Sequence, residues 1–272
     1  MIAFRNQVYS VLTKASYRVR SPYRRLSLLE LGRAHRTDKV SSGYLPQYDR
    51  YLNSIRHSAN SVLEIGIGGH DKLYSGGYSL LMWRDYFSRA VIHGFDLVDK
   101  SHLNSHRIQT HICDQGSPES LKKASEGLTF DLIVDDGSHF VDHQIISFDS
   151  LFPLLNPGGF YIIEDTCGSF MARLRGNYPV GGAVSHFSSL IFSCYSSCIP
   201  SEFRENLLPE IQTLSFWGNK SNVGGFVLIE KSSELDIPPD SEAQLDAFNL
   251  DFDSYQLKYP EWTKSKSGLF MT

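Results

Sequence analysis

The chain has 272 residues, 41% of them hydrophobic, and a formal net charge of −4. That is enough apolar material for the core of one α/β domain, and the acidic balance removes the global electrostatic case for nucleic acid. No uninterrupted apolar run approaches the roughly 20 residues of a membrane-spanning helix, so stable membrane insertion is not expected.

Cys113, Cys167, Cys194 and Cys198 follow no disulfide-framework spacing, which fits a reducing, cytoplasmic setting. Cys194 and Cys198 could share one helix face, with packing favoured over a thiolate metal site.

Residues 1–40 read as an N-terminal helical arm or lid. Arg5, Lys14, Arg18, Arg20, Arg24 and Arg25 fall before the first acid, Glu30. A solvated arm, an interfacial or anionic-partner contact, and an Arg/Ser-rich transit peptide compete for that stretch. Self-association through the arm is a further expectation. The pattern predicts helices over 27–34 and 44–55, with the polar segment Thr37-Asp38-Lys39 between them.

Residues 41–240 carry the expected catalytic domain. Short β-branched or aromatic runs at 61–65, 91–96, 107–113, 130–136 and 159–165 alternate with helical stretches at 78–87, 118–124 and 141–155. This alternation predicts βαβ units and a parallel sheet, which the hairpin at its end would extend to a mostly parallel, seven-stranded sheet. Asn156-Pro157-Gly158-Gly159 reads as a helix stop and turn into the fifth strand. A loop at 176–182, a helix at 183–198 and an antiparallel hairpin from 211–217 and 225–230 follow. Residues 241–272, after Pro238-Pro239, read as a tail that is docked or partly disordered.

Three strand ends point to a nucleoside-containing cofactor. The first strand runs into Glu64-Ile65-Gly66-Ile67-Gly68-Gly69, where glycines let the backbone turn close to a ligand, although the third glycine of the dinucleotide fingerprint is missing. The second ends in Asp96, placed to accept both hydroxyls of a ribose. The third ends in Asp114-Gln115, a carboxylate and an amide suited to an adenine edge.

Two further strand ends are acidic: Asp135-Asp136-Gly137-Ser138-His139 and Glu164-Asp165. At the carboxyl edge of a parallel sheet these carboxylates converge and repel one another unless a cation or a proton sits between them, an arrangement that suggests a hard divalent metal. Helix capping is the alternative for Asp136, a structural role is the expectation for Asp135, and His139 reads as a base or as a satisfied loop histidine. Asp142 and His143, one turn into the next helix, read first as surface or supporting residues, and either is the reserve base. Tyr44, Tyr48, Phe170 and Tyr178 are candidates to line an acceptor pocket, while Trp83 and Tyr86 read as helix-packing residues.

Thr37-Asp38-Lys39, Gly43-Tyr44-Leu45-Pro46, Leu63 to Gly69, Ser79 to Phe87, Asp114-Gln115, Asp135 to His139 and Ile163-Glu164-Asp165 occur in an order that resembles a known family. It is the metal-dependent sugar O-methyltransferases of macrolide and aminocoumarin antibiotic biosynthesis, of the mycinamicin, tylosin and novobiocin type. The resemblance covers residues 37–165. It implies a Rossmann-like class I fold with helices on both faces, using S-adenosylmethionine, with cofactor contacts at Thr37, Glu64, Gly66, Gly68, Ser79, Asp96, Asp114, Gln115 and Asp135. It further implies Mg2+ on Asp136, Glu164 and Asp165, His139 as catalytic base, and a glycoside or saccharide acceptor. Methylation of a catechol-like phenol and a cephalosporin-hydroxylase-like oxidation are the rival activities on the same fold.

Overall fold

The computed structural model describes residues 26–69, 75–191, 208, 210–218 and 224–233. In chain order these form α1 (Leu28–His35), α2 (Leu45–Leu52), β1 (Ser61–Ile65), α3 (Tyr78–Tyr86), β2 (Val91–Asp96), β3 (Ile108–Ile112) and α4 (Pro118–Ala124). They continue with β4 (Phe130–Asp135), α5 (Val141–Leu151), β5 (Leu155–Ile163), α6 (Ala172–Arg175), α7 (Gly182–Ser189), β6 (Ile211–Gly218) and β7 (Gly225–Lys231). The basic positions before 26, the cysteines Cys194 and Cys198, and the tail from 241 lie outside the described residues, as does any self-association through the first part of the arm.

The strands build one seven-stranded sheet in the order β3-β2-β1-β4-β5-β7-β6. β1 to β5 are parallel, and β7 runs antiparallel to both β5 and β6. Successive residues on a strand point to opposite faces, so each central strand feeds two cores. Val62, Leu132, Val134 and Ile162 join Leu31, Tyr48, Leu80 and Trp83 on one side. Leu63, Ile133, Tyr161 and Ile163 join Val141, Phe148, Leu151 and Phe187 on the other.

Residues 26–40 of the arm pack into the first of these cores. Ser27 caps α1 and forms a capping box with Glu30, in which Ser27 Oγ accepts from the Glu30 amide and the Glu30 carboxylate from the Ser27 amide. Leu28 and Leu31 are then fully buried.

The fifth strand departs from the sequence expectation. It begins at Leu155, so Asn156-Pro157-Gly158-Gly159 lies within β5 rather than in a turn before it. The register slips between the Phe130↔Leu155 and Leu132↔Phe160 pairs, and that irregularity accommodates the proline. Asn156 Nδ2 anchors the segment by donating to Asp131 Oδ1 at 2.8 Å. The preceding helix correspondingly ends at Leu151, followed by a single turn at Phe152–Leu154.

Candidate active site

Strand order reverses between β1 and β4, and the chain leaves these strands in opposite directions, opening a crevice outside their carboxyl ends. A cavity of about 780 Å³ lies there. Gly66 (φ 77°) forms its floor: a Cβ at this position would stand 2.2 Å from the carbonyl oxygen of Asp136. The turn after β1 therefore presses directly on the turn after β4, which only glycine permits.

The structure brings most of the expected cofactor residues to this cavity. Thr37, Gly66, Gly68, Ser79, Asp96, Asp114 and Gln115 line it. Asp96 Oδ2 accepts from the Ile67 amide at 3.2 Å and its Oδ1 from the Val98 amide at 2.9 Å, fixing the carboxylate at the end of β2. Asp114 is exposed, with Oδ1 accepting from the Gly116 amide at 2.9 Å.

Two of the expected residues lie behind the wall. Glu64 is fully buried, accepting from Ser79 Oγ at 2.6 Å. Asp135 is also buried and accepts from Gln115 Nε2 at 2.7 Å, from Ser147 Oγ and from the Gly137 amide. Burial lifts its carboxyl to about 6. Gln115 is thereby tied on both ends, because its Oε1 accepts from the Ser138 amide at 2.9 Å. Its amide braces the β4 turn, with its edge on the cavity.

Asp136, His139 and Asp165 each offer a ligand atom within 4.8 Å of the others. His139 (φ 59°) and Asp165 (φ 51°) both take the left-handed conformation that non-glycine side chains rarely adopt. That geometry turns them toward each other, with His139 Nε2 3.8 Å from Asp165 Oδ2. His139 Nδ1 is buried and without a hydrogen-bond partner among the described residues. The two carboxylates beside an open cavity suit a hard divalent ion that keeps some of its waters, and the under-satisfied imidazole stands next to them.

Glu164, also expected as a ligand, is buried beside this group, and its Oε1 meets Lys39 Nζ at 2.7 Å. Lys39 also reaches Asp136 Oδ2 at 2.6 Å and Glu64 Oε1 at 3.1 Å. Burial works against the ammonium charge, yet Asp136, Glu164 and Glu64 hold Lys39 well above the ordinary lysine value. Burial, then repulsion from Asp136, pushes Glu164 well above the usual carboxylate range. Burial lifts Asp136 and Glu64 as well, against the pull of Lys39. One lysine is too little positive charge for so many carboxylates.

Sequence reading assigned no role to Lys39, and it misplaced two tyrosines. Tyr44 and Tyr48 belong to the core rather than to an acceptor pocket. Tyr44 sends only its hydroxyl to the site, donating to Asp165 Oδ1 at 2.6 Å. Trp83 and Tyr86 are buried packing residues, as expected. His143 lines the cavity and pairs through Nδ1 with Ser138 Oγ at 2.8 Å.

A seven-stranded sheet in this order, with its cavity at the β1/β4 edge, is the class I Rossmann-like methyltransferase fold. The chain is 41% identical over 186 residues to the mycinamicin VI 2''-O-methyltransferase of Micromonospora griseorubida, covering 66% of this chain and 47% of that protein. It is 39% identical over 153 residues to the 8-demethyl-8-alpha-L-rhamnosyl tetracenomycin-C 2'-O-methyltransferase of Streptomyces olivaceus, covering 56% of this chain and 40% of that one. Among solved structures, the mycinamicin-pathway methyltransferase MycE in complex with Mg, SAH and mycinamycin VI superposes with a TM-score of 0.69 at 32% identity. That match covers 82% of this chain and 60% of MycE. No family model matches. The chain thus spans less than half the length of these two curated relatives, and the resemblance to sugar O-methyltransferases read from its motifs is met by them. No helix among the described residues is long and apolar enough to cross a membrane.

Proposed function

We propose that this chain is a Mg2+-dependent O-methyltransferase that moves the methyl group of S-adenosylmethionine to a sugar hydroxyl of a glycoside or saccharide. The observation that carries the reading is the meeting, at one sheet edge, of a glycine-floored cavity ending in Asp96 with the Asp136, His139 and Asp165 group. Similarity to enzymes named for sugar O-methylation supports the same assignment.

A sugar hydroxyl loses its proton only near pKa ~16, close to bulk water's, so it is a poor nucleophile at neutral pH. A divalent ion held by Asp136, Glu164 and Asp165 would acidify such a hydroxyl and fix its orientation. His139, 3.8 Å from Asp165, would accept the proton of a hydroxyl placed at this corner, and S-adenosylmethionine, when bound, would supply the methyl group. Asp96 would receive the ribose hydroxyls, and the Gly66 turn would let the cofactor lie against the backbone. Phe140, next to His139, and Phe170, at the end of the turn after Asp165, are exposed and offer aromatic faces to a sugar ring.

The test is methyl transfer from isotopically labelled S-adenosylmethionine to a panel of deoxysugar glycosides, with and without EDTA. Label should enter the acceptor, vanish with chelation and return with Mg2+. Turnover of catechols alone, or incorporation of oxygen in place of methyl, would overturn the assignment.

A further inference from the structure

Lys39 has no part in the chemistry above, yet it is the most enclosed cation of the site. It sits on the single turn Asp38–Val40, capped by Thr37, with 1% of its surface exposed. Its ammonium donates hydrogen bonds to Asp136 Oδ2 at 2.6 Å and Glu164 Oε1 at 2.7 Å and stands in an ion pair with Glu64 Oε1 at 3.1 Å, an oxygen without a hydrogen bond of its own among the described residues. Three carboxylate oxygens gathered around one point are also what a hard metal ion would choose. Asp136 belongs both to this inner set and to the outer group with His139 and Asp165.

The two sets differ in what can reach them. Glu64 and Glu164 are buried, whereas Asp136 and His139 line the cavity where an acceptor hydroxyl arrives. A metal ion in the inner set would be sealed off from the acceptor. Lys39 claims the inner oxygens and leaves the remaining donors of Asp136 and Glu164, together with Asp165, for an ion at the cavity.

We infer that Lys39 is a resident cation that closes the inner end of the carboxylate cluster, limits the site to one divalent ion at the cavity, and holds down its affinity by like-charge repulsion. This rests on the metal dependence proposed above. Lys39 acts through the carboxylates, as a positioning residue.

The test is Mn2+ titration of the full chain, followed calorimetrically and by the electron paramagnetic resonance of free Mn2+, for wild type, Lys39→Gln and Lys39→Arg. Wild type should bind one ion. Lys39→Gln should bind a second ion or tighten the first at least tenfold, with Mn2+ raising its Tm more than that of wild type. Lys39→Arg, which keeps the charge, should retain one ion near wild-type affinity. Unchanged or weaker single-ion binding by Lys39→Gln, or a chain that stays unfolded with Mn2+ present, overturns the role of Lys39. A wild-type crystal with Mn2+ needs no variant: one anomalous peak at the cavity with Nζ in place is expected, and a peak among Glu64, Asp136 and Glu164 with the lysine displaced refutes the proposal. No Mn2+ binding by wild type refutes the metal reading itself.

Discussion

Tyr44 and Asp165, 121 positions apart, share a 2.6 Å hydrogen bond in which the phenol donates to Oδ1. The same phenol oxygen accepts from the Gly225 amide at 2.8 Å, so a core tyrosine couples the start of β7 to the acidic corner. Tyr44→Phe leaves the buried Gly225 amide without its acceptor and Asp165 without its brace. The expected loss is about 1–3 kcal/mol in urea unfolding, together with weaker Mn2+ binding. Unchanged stability would show that water replaces the hydroxyl.

The metal role proposed for the outer group of Asp136, His139 and Asp165 leads to a separate prediction. Asp136→Asn and Asp165→Asn keep the side-chain volume and remove a charged donor, so each should weaken Mn2+ binding at least tenfold while far-ultraviolet circular dichroism stays native. His139→Ala should lower kcat by about 10²–10⁴-fold and leave binding of S-adenosylhomocysteine intact. A proportional loss of that binding would instead make His139 a cofactor contact.

Gly66 and Gly127 allow strain to be separated from contact. Both have φ above 70°, but a Cβ at Gly127 meets nothing within 4 Å, whereas one at Gly66 collides with the Asp136 backbone. Gly127→Ala should cost about 1–2 kcal/mol from the left-handed conformation alone. Gly66→Ala adds overpacking, for a total of roughly 3 kcal/mol or more, and loss of S-adenosylhomocysteine binding. Equal effects of the two changes would remove the contact argument.

Acid sensitivity should reside partly in His93. Burial, then the neighbouring His111, lowers it to about 4, and its Nδ1 lies 3.4 Å from His111 Nε2. An unfolded histidine titrates near 6.5, so between these values the unfolded chain binds the proton and the folded chain does not. The stabilising contribution is complete above about pH 6.5 and is lost as pH falls toward about 4. From about pH 7 to about pH 5 it amounts to about 2 kcal/mol. Burial lowers His111 too, which acts in the same direction. His93→Gln should flatten the pH dependence of urea stability by that amount, and an unchanged slope would place the sensitivity elsewhere.

How much of this was legible in sequence depended on how local the cause was. β1 at Ser61–Ile65 and β2 at Val91–Asp96 match their expected limits because short buried strands announce themselves through β-branched runs between turn residues. The acidic strand ends were equally plain. The start of β5 was not, since Pro157 and Gly158 signal a turn locally and only pairing with β4 overrides them. Lys39 was hidden for a stronger reason. Lysine is the residue least expected inside a core, and two of its partners lie 97 and 125 positions away. Tyr44 shows the same limit: in sequence it is a candidate to line an acceptor pocket, and nothing nearby indicates that it is a core residue whose hydroxyl serves Asp165.

The link from Tyr44 to the Gly225 amide spans 181 positions, nearly the whole described chain. During synthesis from the N-terminus, β1 to β5 can pair while that amide is still inside the ribosome. The Tyr44 hydroxyl is therefore fixed on its second side only when β7 slots between β5 and β6. Until then Asp165 has the Tyr44 hydroxyl as its partner, but that hydroxyl lacks the amide that holds it in place, so one of the last strands made is the one that locks the acidic corner.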